Sequence, residues 1–333
     1  FMDLFATIVV DGLIYAGWLF IVSVGLTLVF GVLNILNIAH GSLYAIGAYA
    51  SASLVGAYFA AGGDAFPYGS YAALILAAVL VAVVLGPLLE RGLLKYFYGR
   101  DEVLNVLVTY AVFLILEDVM KLIWGVNPYF VYEPYTLLGD VEIGPLFYVG
   151  YDFAVIAAAI IVGLAVWLTL NRTQIGKVVL AVIHDAEMSQ TMGVNVQRIY
   201  LGAFTAGAFL AALGGALTAP MISVTPGLGA NVIIVAFAVV IIGGLGSVPG
   251  AAIGALMVGI SRAASVHLLP EAELFIVYFV MAIVLVFRPE GFSYMLLSHL
   301  SFWPQGQSSC RIGRCSCSPW HWPRDWYVWE SSR

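Results

Sequence analysis

The sequence predicts an all-α, polytopic transmembrane helical bundle of about eight to nine spans, some broken by Gly and Pro, and three observations predict it. Hydrophobic residues make up 62% of the 333 residues and charged residues only 10%, too little polar surface to cover a water-soluble globule of this length. The apolar residues gather in runs near the length of about 20 that crosses a bilayer. Stretches such as 72–85 and 154–170 are apolar on every side, which suits a helix in lipid and not the short alternating strands of a membrane barrel.

In chain order the runs lie near residues 8–30, 41–61, 69–89, 103–124, 147–170, 200–222, 231–246, 250–267 and 271–287. The first is read as a span and not as a cleaved leader, because Met2 and Asp3 stand where a secretory signal would be basic. A polar interruption around Asn34 separates it from the second, either as a turn or as a re-entrant segment. Asp64 marks the turn before the third. Basic residues crowd the connections after the third and fifth runs, and a Gly/Pro cluster divides the seventh run from the eighth.

Lys and Arg orient the chain, since they stay on the cytoplasmic side of short loops. Arg91, Lys95 and Arg100 crowd one connection, and Arg172, Lys177 and Arg198 another, so both are predicted to face inside. The segment 125–147 carries Glu133, Asp140 and Glu142 with no Lys or Arg, and the Asp64 turn has none, so both are predicted outside. Nine crossings satisfy every loop, with the first terminus outside and Arg288 inside. The net charge of −6 makes no case for a nucleic-acid partner; lipid is the expected surroundings.

Residues 1–300 are read as the transmembrane domain and 301–333 as an atypical tail. That tail holds all three cysteines (Cys310, Cys315, Cys317) and five of the eight tryptophans, so the body has no disulfide framework and no cysteine metal site. It is read as an aberrant or disordered end, with a Trp-rich interfacial segment as the alternative.

Three stretches carry candidate function. In the first, Asn34, Asn37 and His40 recur every three residues, so in a wound segment they share one face. Polar groups inside a bilayer either line a wet path or bond to neighbouring helices, and both roles are open here. In the second, the connection 171–198, Asp185 can cap a helix over about 186–192 with Glu187 in its first turn and Gly193 as its stop. Met188 and Met192 lie four apart on it, an apolar knob suited to a groove on another protein, the plain alternative being a solvated helix. The third stretch has Gly243, Gly244, Gly246, Pro249 and Gly250 within eight residues, which no regular helix sustains. Close helix packing is its simpler role; contact with a cytoplasmic partner is the other. Among the intramembrane charges, Glu117 and Lys121 are spaced for an ion pair, while Asp11, Asp152 and Arg262 are placed near helix ends where they reach polar solvent.

These stretches resemble the permease subunits of ABC importers for branched-chain amino acids. The carriers are the run from Gly31 through Asn34, Asn37 and His40 to Gly41; Gln174-Ile175-Gly176-Lys177 with His184-Asp185-Ala186-Glu187 and Met192-Gly193; and Gly243 to Gly250. The likeness extends over roughly residues 12–292 and includes an Arg288-Pro289-Glu290-Gly291-Phe292 ending; Ala186 departs from it, where relatives commonly have Pro. It implies an amino-acid importer subunit of a bacterial or archaeal cytoplasmic membrane, working by alternating access. It further implies two cytoplasmic ATP-binding subunits, a second homologous permease or a second copy of this chain, and a periplasmic or extracellular substrate-binding protein. The loop around Asp185, Glu187, Met188, Met192 and Gly193 would be the ATPase coupling element, and Asn34, Asn37 and His40 the substrate pathway. No catalytic residue, metal or cofactor is expected: there is no P-loop, H-E-x-x-H or nucleophile elbow, so energy must come from a partner or a gradient. A gradient-driven transporter or channel, with Glu117, Asp118 or His40 in ion coupling, is the alternative.

Overall fold

The computed structural model describes residues 2–143 and 146–287, all within one unit spanning 1–296. The Arg288–Phe292 turn and the tail from 301 lie outside the described residues. Helices dominate because the runs leave every backbone group to be satisfied within its own segment. They are α1 (Met2–Leu33), α2 (His40–Ala60), α3 (Gly69–Gly92), α4 (Glu102–Trp124), the short α5 (Glu133–Thr136), α6 (Gly150–Arg172), α7 (Gln174–His184), α8 (Ala186–Thr191), α9 (Val196–Thr218), α10 (Leu228–Gly243), α11 (Val248–Leu268) and α12 (Glu273–Phe287). Among the described residues seven helices are long and apolar enough to cross a membrane: α1, α2, α3, α4, α6, α9 and α11. α10 and α12 contain the shorter apolar segments Leu228–Gly243 and Phe275–Val286, and the expected eight to nine spans depend on them.

Side chains cap the starts of several helices. Asp101, Thr173, Asp185, Asn195 and Ser247 each accept a backbone N–H from the first turn of α4, α7, α8, α9 and α11. All five lie in connections predicted to face inside or, for Ser247, at the inner Gly/Pro break. α2 and α10 start without a cap from their own side chains. Their starts touch each other instead: a Cβ on Gly41 would stand 2.4 Å from the Gly229 carbonyl oxygen. The two helix beginnings therefore meet inside the bundle, the arrangement of transporters built around broken helices.

α1, α2, α9 and α10 form the core, α1 lying against α9, α11 and α6, and α9 against α2 and α3. α6 is the least buried of the seven spans and offers most of its surface to lipid or a neighbouring subunit. The all-α expectation needs one addition. Asp140–Ile143 (β1) pairs antiparallel with Leu146–Val149 (β2), Asp140 opposite Val149, in the acidic segment predicted outside. Nearby, Tyr129 and Val224 exchange both backbone hydrogen bonds at 2.9 Å, clasping that segment to the turn before α10.

One expected ion pair is corrected. Lys121 binds Asp118 at 3.2 Å, not Glu117. Glu117 is 7% exposed and its Oε2 accepts the Gly227 N–H at 3.3 Å, across 110 residues, where α10 begins. A carboxylate is favoured at that positive helix end, so the tertiary contact wins over the local i, i+4 spacing.

Candidate transport site

Cavities lie towards both ends of the bundle. The outer one encloses about 690 Å³, within the range of small-molecule sites, and is walled by α1, α6, α9, α10, α11 and α12 towards the ends predicted to face outside, with Tyr44 from the beginning of α2. Its apolar lining includes Ile14, Tyr15, Trp18, Val232, Val235 and Val277, and its polar lining includes Tyr44, Thr218 and Asn231. Four charged side chains enter it: Asp11, Asp152, Arg262 and Glu273.

Arg262 and Glu273 form a salt bridge across the turn between α11 and α12, each side chain about a third exposed (33% and 29%). The guanidinium carbon sits 4.0 Å above the Tyr15 ring centroid, a cation–π contact. Asp11 Oδ2 accepts from His267 Nε2 at 2.7 Å, and Asp152 Oδ2 accepts from the Tyr135 hydroxyl at 3.3 Å. Burial first, then the Asp152 charge, pushes the Tyr135 phenol up to about 12, so it stays a donor throughout physiological pH. The sequence places Asp11, Asp152 and Arg262 singly at helix ends, each reaching solvent. Asp152 is instead 6% exposed, and the three converge with Glu273 on one cavity. The available signal was orientation: all four lie near ends that the Lys/Arg pattern assigns outside.

At the inner end a second cavity is lined by Phe30 to Asn34, Val182, Ile183, Ala186, Tyr200, Leu245 and Gly246. It brings together the α1 end, the α7–α8 connection and the Gly-rich break, three stretches that the charge pattern places inside. Next to it, Tyr98, Ala186, Glu187, Gly193 and Tyr200 line a third cavity. The Tyr98 hydroxyl donates to Glu90 Oε1 at 2.8 Å; burial and then that carboxylate push its pKa up.

The three polar residues expected on one face are separated. α1 ends at Leu33, Asn34 takes a left-handed φ of 54°, and residues 34–39 leave the helix, so the three-residue spacing no longer aligns them. Asn34 is exposed on the inner cavity, whereas Asn37 (1%) and His40 (0%) are buried. His40 Nε2 donates to the Val22 carbonyl at 3.0 Å. Both polar ends of Asn37, His40 Nδ1, and the hydroxyls of Ser23 and Thr27 on α1 are buried with no hydrogen-bond partner among the described residues.

In the connection predicted to face inside, the short helix α8 spans Ala186–Thr191. Asp185 Oδ1 accepts the Met188 N–H at 2.8 Å, and the chain leaves through Gly193 at φ 88°. Glu187 sits in the first turn, and Met188 and Met192 are 62% and 80% exposed. Preceding it, α7 is a longer helix that the sequence pattern does not separate. Asp185→Ala removes the cap, which is worth about 1 kcal/mol, so the Met188 amide is expected to exchange with solvent about fivefold faster in hydrogen-exchange mass spectrometry. At the glycine-rich break, α10 ends at Gly243, Gly244 and Gly246 have φ of 96° and 83°, and Pro249 falls in the first turn of α11. A Cβ on Gly243 would stand 2.3 Å from the Gly250 carbonyl oxygen, so these glycines let α10 and α11 close as a hairpin.

The chain matches known transport proteins over most of its length. The family described as branched-chain amino acid transport system / permease component matches residues 8–285. The high-affinity branched-chain amino acid transport system permease protein BraD of Pseudomonas aeruginosa is 26% identical over 291 residues, 85% of this chain and 93% of that protein. The corresponding LivH protein of Salmonella typhi is 26% identical over 278 residues, covering 81% and 89%. A probable branched-chain amino acid transport permease, LivH of Methanocaldococcus jannaschii, is 27% identical over 285 residues, covering 81% and 84%. No solved structure matches the chain.

Proposed function

The chain belongs to the family of permease components of branched-chain amino acid transport systems, and we propose that it is the membrane-spanning subunit of an ATP-driven importer for branched-chain amino acids. The observation that carries the mechanism is a pair of cavities towards opposite ends of one bundle, with the buried Asn37 and His40 lining neither. On α2 and the segment before it, Asn34 lines the inner cavity and Tyr44 the outer one, so Asn37 and His40 stand in the intervening layer. We assign Asn34, Asn37 and His40 to the substrate pathway on that ground. The buried, unpartnered polar atoms of Asn37 and His40 are costly in an apolar layer and are relieved when a polar solute passes.

In this reading α10 and α12 also cross the membrane, giving nine spans, and the loops carrying Arg91 and Arg172 face the cytoplasm of a bacterial or archaeal cell. The chain supplies the path; two cytoplasmic ATP-binding subunits hydrolyse nucleotide, and a periplasmic or extracellular protein delivers substrate. A homologous permease, or a second copy of this chain, completes the membrane core. The connection holding Asp185, Glu187, Met188, Met192 and Gly193 couples the ATP-binding subunits to the bundle: it contributes to two inner cavities, one of them shared with the α1 end and the 245–246 break. A push there reaches the layer that closes the path, and alternating access follows as a shift between two packings.

Reconstitution tests this directly. Proteoliposomes holding the chain with its cognate ATP-binding subunits, permease partner and binding protein are expected to take up labelled leucine only with ATP present. Uptake driven by a proton or sodium gradient without ATP would replace this reading by a secondary transporter.

A further inference from the structure

We infer that Arg262 is the anchor for the carboxylate of a zwitterionic amino acid in the outer cavity, and that Glu273 occupies that anchor while the cavity is empty of substrate. The inference rests on the importer reading and specifies the chemistry of its outer site. Arg262 is the one Lys or Arg side chain among the described residues lining the cavity, against three carboxylates, Asp11, Asp152 and Glu273. Two of those carboxylates have other donors, His267 for Asp11 and Tyr135 for Asp152. Glu273 spends its charge on Arg262.

The Tyr15 ring packs on the guanidinium carbon, and a guanidinium fork is matched to a carboxylate. A substrate carboxylate has the same charge and geometry as the Glu273 side chain and replaces it one for one. The displaced Glu273 then adds to the negative charge that receives the substrate ammonium. Trp18, Val235 and Val277 provide the apolar wall for a branched side chain. The site thus selects for both ends of a zwitterion, and an amine lacking the carboxylate leaves the Arg262–Glu273 bridge closed.

A purely structural bridge between α11 and α12 would be weakened alike by loss of either partner, whereas a displaceable one responds with opposite signs. In equilibrium binding of labelled leucine to the purified complex without its binding protein, Arg262→Gln is expected to weaken binding at least about tenfold and Arg262→Lys to recover part of it. Glu273→Gln frees the anchor and is expected to tighten binding about fivefold. On the unaltered protein, leucinamide should compete at least about tenfold more weakly than leucine, a readout independent of any variant's folding. Equal competition by leucinamide, or parallel losses in Arg262→Gln and Glu273→Gln, overturns the inference while ATP-driven leucine uptake by the unaltered complex keeps the importer reading. Absence of that uptake overturns both.

Discussion

Gly215→Val is expected to leave no recoverable folded protein. Gly215 lies on α9 against α2, where a Cβ would stand 2.0 Å from the Tyr44 carbonyl oxygen and 3.0 Å from the Ala48 nitrogen. These are backbone atoms of a neighbouring helix, so no side chain can swing aside and the two helices must part. The same approach recurs one turn away, where a Cβ on Gly47 would meet the Ala212 oxygen at 2.4 Å. Tyr44 is fully buried and its hydroxyl lies 2.6 Å from Thr218 Oγ1, so separating α2 from α9 also opens the floor of the outer cavity. Overpacking a core costs about 1–3 kcal/mol when side chains absorb the strain, and more when backbones must move. Gly56 on α2 is the control, since a Cβ added there would meet nothing within 4 Å; Gly56→Ala should change stability by no more than about 1 kcal/mol. The check is the yield of monodisperse protein in detergent and its thermal midpoint. Normal yield and midpoint for Gly215→Val would mean that α2 and α9 do not pack through these glycines.

What could be read from the sequence divides by the range of the interactions involved. Span positions and the helix over Ala186–Thr191 depend on neighbours within a few residues, and composition, the Asp185 cap and the Gly193 turn report on them directly. The outer cavity depends on Asp11, Asp152, Arg262 and Glu273, which come from α1, α6, α11 and α12. Taken one helix at a time, Asp11, Asp152 and Arg262 read as end residues reaching for water. Local spacing matches Glu117 to Lys121, yet Glu117 caps α10 from another helix, a contact that no window of the sequence contains. Asn34 does not align with Asn37 and His40 because a single left-handed residue ends the helical winding on which the spacing argument relies. Lys and Arg point one set of loops to the same side, and the inner cavities bring members of that set together.

The double substitution Met188→Asp and Met192→Asp should abolish capture of the ATP-binding subunits and, with it, ATP-driven uptake. Both side chains are mostly exposed, at 62% and 80%, one on α8 and one at its C-terminal cap, in the connection predicted to face inside, an expensive place for apolar surface unless a partner covers it. Burying a Met side chain contributes about 1.5–3 kcal/mol, so losing two, with aspartates to be desolvated in their place, removes at least about 3 kcal/mol of affinity. That corresponds to roughly a hundredfold in Kd. The helix itself should persist, since its Asp185 cap and the buried Ser189 on its inner face are untouched. Asp185→Ala provides the graded comparison: it frays the helix by about 1 kcal/mol and should lower capture by about fivefold, leaving the apolar knob in place. Co-purification of each variant with tagged ATP-binding subunits measures the difference, and leucine binding at the outer cavity, which none of these residues lines, should be retained by both. Undiminished capture by the aspartate variant would move the contact to the neighbouring inner surface formed by α7 and the 245–246 break. Capture retained but uptake lost would place Met188 and Met192 in transmitting the ATP-driven motion, not in docking.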